Sequence, residues 1–173
     1  MPGNPPSPDG AESLGRRYLA AGGEWRARMH GLDPSGKGFT VLHAHAGQAI
    51  VADDRAVMGE LWLRAEALGR CQPDPRDAAT VGAMLGFVRE KAGEPTLHAR
   101  PLAEDSRLGD GETVILWCVE RQHADGGGAE WLRESGAWGA AEAGHRDPPV
   151  YGRSEAEAIV GAGEAIASSR GAR

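Results

Sequence analysis

A chain of 173 residues, 40% hydrophobic and 25% charged, is long enough to bury a core of ordinary size without disulfide or metal staples. Its net charge of -6 and pI near 5.5 argue against a nucleic-acid partner, which asks for a basic face. An opening MPGNPPSPDG without the basic start and apolar stretch of a signal peptide, and the lack of any apolar run of about 18 residues, point to the cytoplasm and away from membranes.

Residues 1–9, with four prolines by Pro8, read as a disordered tail, and residues 10–170 as a single domain. Asp9 and Glu12 have capping-box spacing, and Leu14, Tyr18, Ala21, Trp25 and Met29 recur at helical intervals. Gly22 and Gly23 interrupt that helix at a cost of about 1 to 2 kcal/mol, which marks a kink or a break. GLDPSGKG, from Gly31 to Gly38, is turn chemistry. FTVLHAH, from Phe39 to His45, reads as a strand that residues 47–52 extend or pair with as a hairpin.

The stripe Val57, Met58, Leu61, Trp62, Ala65 and Leu68 predicts a helix capped by Asp53 or Asp54, and a second helix follows from Asp74 and Pro75 to Ala92. Thr96 to Leu102 is strand-like and joined by a polar loop to ETVILWCVERQ, from Glu112 to Gln122. The unbroken apolar run from Val114 to Val119 is what a strand covered on both faces looks like, so this stretch is the predicted centre of the sheet. Ala129 to Ser135 is a further strand. Gly136 to Pro149 reads as a loop docked by Trp138, and Ser154 with Glu157 opens a last helix to about Ser168. The expected fold is α+β: a small antiparallel sheet centred on residues 112–122, with several helices packed mainly on one face.

Each motif has a chemical reading and a plain one. GLDPSGKG has the glycines and lysine of a phosphate loop, but Gly38 occupies the hydroxyl position and the segment leads from helix to strand, the reverse of what that loop needs. Read as a calcium loop, it puts Lys37 and Ala44 where oxygen ligands belong. His43 and His45, two apart on a strand, share a face and can reach one divalent ion, with Asp53 or Asp54 as the carboxylate. VLHAHAGQ is similar to the HxHxDH signature of metallo-β-lactamase-like hydrolases over about eight residues, with Gly47 and Gln48 in place of the Asp and third His. That resemblance implies metal-dependent hydrolysis, and the two departures remove the ligands of a second metal.

His98, on a strand beside the central one, would form an acid/base pair if it met Glu120 or Glu112. Cys71 and Cys118 read as reduced thiols, Cys118 as a small core residue. Only Lys37 and Lys91 among nineteen basic residues are lysines, a bias that reports GC-rich, bacterial-type coding rather than arginine-based recognition. Five tryptophans stand beside two Phe and two Tyr; Trp131, Trp138 and Tyr151, in the loop-rich region, form the candidate binding surface. The reading is a non-enzymatic cytoplasmic binding or accessory protein, without a cofactor, that contacts another protein or a second copy of itself. The alternative is a small hydrolase holding a divalent metal at His43 and His45.

Overall fold

A computed structural model describes residues 8–53, 60–102, 115–122, 127–140 and 147–171, and within them the chain forms helices and two antiparallel sheets, an α+β protein. Two compact units divide it, one through Ala83 and one from Met84.

The first unit opens with helix α1 (Pro8–Ala20), which starts inside the predicted tail; residues 1–7 lie outside the described residues. Gly22 ends it at a φ of +85°, a left-handed conformation that glycine adopts without steric cost, while the N–H of Gly23 closes on the carbonyl of Tyr18 at 2.9 Å. The helix therefore does not reach Trp25 and Met29. Trp25 stacks its ring 5.7 Å from that of Phe39, and Met29 is fully buried.

Strands β1 (His30–Leu32), β2 (Gly38–His45), β3 (Gln48–Asp53) and β4 (Glu60–Leu63) form an antiparallel meander, and β5 (Gln72–Pro73) pairs with the outer edge of β1. Asp33 builds the turn between β1 and β2: its Oδ1 accepts from the N–H of Ser35 at 2.8 Å and of Lys37 at 2.9 Å. Ala46 and Gly47, both at positive φ, join β2 to β3 as a two-residue hairpin turn. A bulge at Leu42 shifts the pairing from Val41 opposite Val51 to His43 opposite Ile50.

The helix predicted along Val57 to Leu68 is not what forms. Residues 60–63 are strand and only α2 (Ala65–Leu68) is helical, while residues 54–59 lie outside the described residues. Leu61 and Leu63 pair with Val51 and Ala49 across the ladder and Trp62 points to the other face, so alternation overrides the helical stripe.

Helix α3 (Ala78–Ala92) starts later than predicted, because Asp77 rather than Asp74 caps it, accepting the Thr80 N–H at 2.7 Å. Buried Thr80 Oγ1 in turn accepts the N–H of His30 at 2.7 Å, which ties the first turn of the helix to β1.

In the second unit, β7 (Trp117–Gln122) is the central strand. β6 (His98–Pro101) lies along one edge; β8 (Ala129–Leu132) and β10 (Tyr151–Gly152) share the other, and β9 (Trp138–Gly139) pairs beyond β8. Cys118, Val119 and Glu120 are buried from both sides, as a central strand requires. The strand is shorter than the apolar run: Ile115 and Leu116 precede it, Ile115 is 63% exposed, and residues 112–114 lie outside the described residues. The segment predicted as loop from Gly136 to Pro149 supplies β9 and a bridge from Pro149 to Arg133.

Helix α4 (Glu155–Gly171) opens on the predicted box: Ser154 Oγ accepts the Glu157 N–H at 3.1 Å, and the Glu157 carboxylate accepts the Arg153 N–H at 2.6 Å. It buries Ala158, Ile159, Ala162 and Ile166. A Cβ on Gly152 would stand 2.3 Å from the backbone nitrogen of Ala158, so the side of the sheet that carries Gly152, Trp117 and Val119 faces α4.

Candidate binding face of the second sheet

Residues opposite one another in an antiparallel ladder share a face. The register of β6, β7, β8 and β10 therefore collects His98, Arg100, Cys118, Glu120, Trp131 and Tyr151 on the side turned away from α4. His98 lies opposite Glu120 and Arg100 opposite Cys118; Glu120 is in turn opposite Trp131, and Cys118 opposite Tyr151.

Glu120 is the pivot of this face. Its side chain is 3% exposed, with Oε1 2.9 Å from His98 Nε2 and Oε2 3.4 Å from Arg100 Nε. The second contact lacks hydrogen-bond geometry, so among the described residues Oε2 is left without a hydrogen bond. A buried carboxyl needs polar or charged partners to offset its lost hydration, and Arg100, 52% exposed at the rim, brings a positive charge beside Glu120. His98 Nδ1 lies 3.0 Å from the Thr96 carbonyl oxygen. Both ring nitrogens thus face oxygens of the protein, and the His98–Glu120 pair meets.

The aromatic residues flank this pair. Trp131 and Tyr151 meet edge to face, their ring centroids 6.5 Å apart and their planes at 79°. Tyr151 is 43% exposed, and burial, with the Cys118 thiol beside it, raises its hydroxyl above the ordinary value, so it remains a hydrogen-bond donor at neutral pH. Burial and the neighbouring Glu120 charge push the Cys118 thiol up to about 11, which keeps it protonated and poorly nucleophilic, in line with its reading as a core residue. Buried Arg133 donates to the Asp147 carbonyl at 2.6 Å and to that of Ala140, and so fixes the segment leading into Tyr151.

Trp138 does not join this surface. It pairs with Leu132 on the α4 side, beneath the Arg121 guanidinium, whose centre is 4.6 Å from the ring centroid. Arg121 also binds Glu94 and, at 2.7 Å, Glu130, so Trp138 belongs to a charged lattice that holds strands together. The three aromatic residues singled out in the sequence divide between two faces.

In the first unit, His43 and His45 share a face and are exposed. Asp53 is on the opposite face, level with Phe39 and ion-paired with Lys37. Asp54 lies outside the described residues. Among the described residues, no group of three His, Cys, Asp or Glu side chains is placed to hold a metal ion. Among them, too, no helix is long and apolar enough to cross a membrane.

Arg100 went unnoticed in the sequence. The signal was there in its spacing from His98, two apart on a strand and therefore on one face. Comparison with known protein families, with curated proteins and with solved structures yields no match.

Proposed function

We propose that this is a non-enzymatic binding or accessory protein that holds another protein against Trp131, Tyr151 and Arg100, on the side of its second sheet turned away from α4. The observation that carries the reading is the arrangement of Trp131, Tyr151, Arg100 and His98 around a buried Glu120. Tryptophan, tyrosine and arginine dominate interface hot spots, because each brings a large contact area together with a directional donor. The Glu120 carboxyl is buried while Arg100 and Tyr151 are exposed, so the complementary partner presents carboxylates or backbone carbonyls beside an apolar contact.

A photo-crosslinking amino acid at position 151, compared with one at exposed Trp62 of the first sheet, tests this in cells. The expected result is a discrete cross-linked partner from position 151 alone, diminished at least tenfold by Arg100→Glu with the fold intact by circular dichroism. A self-cross-link would identify the partner as a second copy. Cross-linking indifferent to Arg100→Glu, or confined to position 62, overturns the reading. Stoichiometric zinc, manganese or iron that is lost in the His43→Ala, His45→Ala double variant would replace it with the metal-hydrolase alternative.

A further inference from the structure

A cleft of about 410 Å³ opens in the first unit between the sheet, α2 and the Asp33 turn. It lies within the size range of small-molecule sites. One wall is the sheet face on which Phe39, Val51, Leu61 and Leu63 lie, since Phe39 and Leu61 are brought into line by their pairings with Asp53 and Val51. Leu61 is 58% exposed, an apolar side chain of the wall left uncovered.

Four charged side chains reach the cleft. Lys37 and Asp53 pair with each other. Asp33 Oδ1 is occupied by its own turn, and donation from the Ser35 hydroxyl and the Lys37 N–H holds this carboxyl below its ordinary value. Arg70 remains, exposed, with a guanidinium that makes no hydrogen bond or ion pair among the described residues.

We propose that this cleft binds a small apolar carboxylic acid, its hydrocarbon body along the Phe39, Val51, Leu61 and Leu63 wall and its carboxylate on Arg70. A planar guanidinium receives a carboxylate through two parallel hydrogen bonds, and the apolar wall favours a body with no polar groups of its own. The site is independent of the protein-binding face, which lies in the other unit.

Calorimetric titration of the full chain with decanoate, and separately with decylamine, tests the proposal. Decanoate is expected to bind one to one and at least tenfold tighter than decylamine. Arg70→Gln should weaken decanoate roughly tenfold, as loss of a charge-assisted pair does. Leu61→Asp should abolish binding. Both positions are exposed, so unchanged urea midpoints will show that the variants fold. Equal affinity for the two probes, no binding of either at millimolar concentration, or decanoate affinity indifferent to Arg70→Gln overturns the proposal.

Discussion

Two pairs of polar residues, one in each sheet, show how differently a strand can present a histidine. In the second sheet His98 meets Glu120 because the hairpin register sets them opposite one another, and the carboxylate is buried beneath its partners. In the first sheet His43 and His45 share a face with Ile50 while Asp53, the carboxylate nearest in sequence among the described residues, is on the reverse side. One residue causes the difference. Without the bulge at Leu42, regular alternation would put Val41, His43 and His45 on the side of Val51 and Asp53; the extra residue turns both imidazoles over. Spacing along one strand says which side chains are neighbours, and register between strands says what they meet.

The comparison is broken most directly at His98. His98→Ala leaves the buried Glu120 carboxyl without the one hydrogen-bonded partner it has among the described residues and should cost about 2 kcal/mol, less than a fully enclosed pair because solvent reaches this rim. Replacing Glu120 with leucine in the same chain should restore most of that loss, read from urea unfolding; a double variant as unstable as the single one would show that His98 acts through packing.

A second test asks whether the first unit also holds a carboxylate this way, at Asp74. Burial alone would raise its carboxyl, but hydrogen bonds from Arg76, at 2.8 and 2.9 Å, outweigh that and hold it below the ordinary value of 3.8. A depressed folded value stabilises the protein fully above the unfolded one, and that contribution is lost as pH falls through the folded value. Arg76→Gln should therefore lower the urea midpoint at pH 6 and leave it little changed at pH 2; an equal loss at both would exclude the charge pairing.

Smaller effects are expected at the hairpin turn that follows the two histidines. Ala46 sits at a φ of +48°, and asparagine accepts this conformation more readily, so Ala46→Asn should stabilise by about 0.5 kcal/mol in thermal unfolding. Smallest of all, His43→Ala and His45→Ala should each stay within about 0.5 kcal/mol, as exposed side chains do. A larger loss at either would mean that the first sheet has partners for its histidines after all.

Much of the layout was legible in the residues themselves. FTVLHAH and its hairpin, the Asp33 turn, the central strand and the Ser154 box depend on local alternation or capping chemistry, which a single segment carries whole. The misread stretch, Leu61 to Leu63, was ambiguous because a helical stripe and a short alternation use the same leucines; the waiting edge of β3 decides between them, while Ala65 to Leu68 is helical as predicted. The site was half legible. Trp131, Tyr151 and the potential meeting of His98 with Glu120 could be named, but not the division of Trp138 from the other aromatics, because a face is assigned only once β8, β9 and β10 have found their neighbours.

Gly152 follows Tyr151 directly, and its inner side is flush with the opening turn of α4. A methyl group there would collide with main chain that cannot swing aside, so the two-residue strand would have to peel from Trp117 and take the phenol ring away from the indole. The pairing of Trp131 with Tyr151 on the outer surface thus depends on clearance on the other side of the sheet, and under the proposed reading a substitution hidden beneath it would be felt as a defect in recognition.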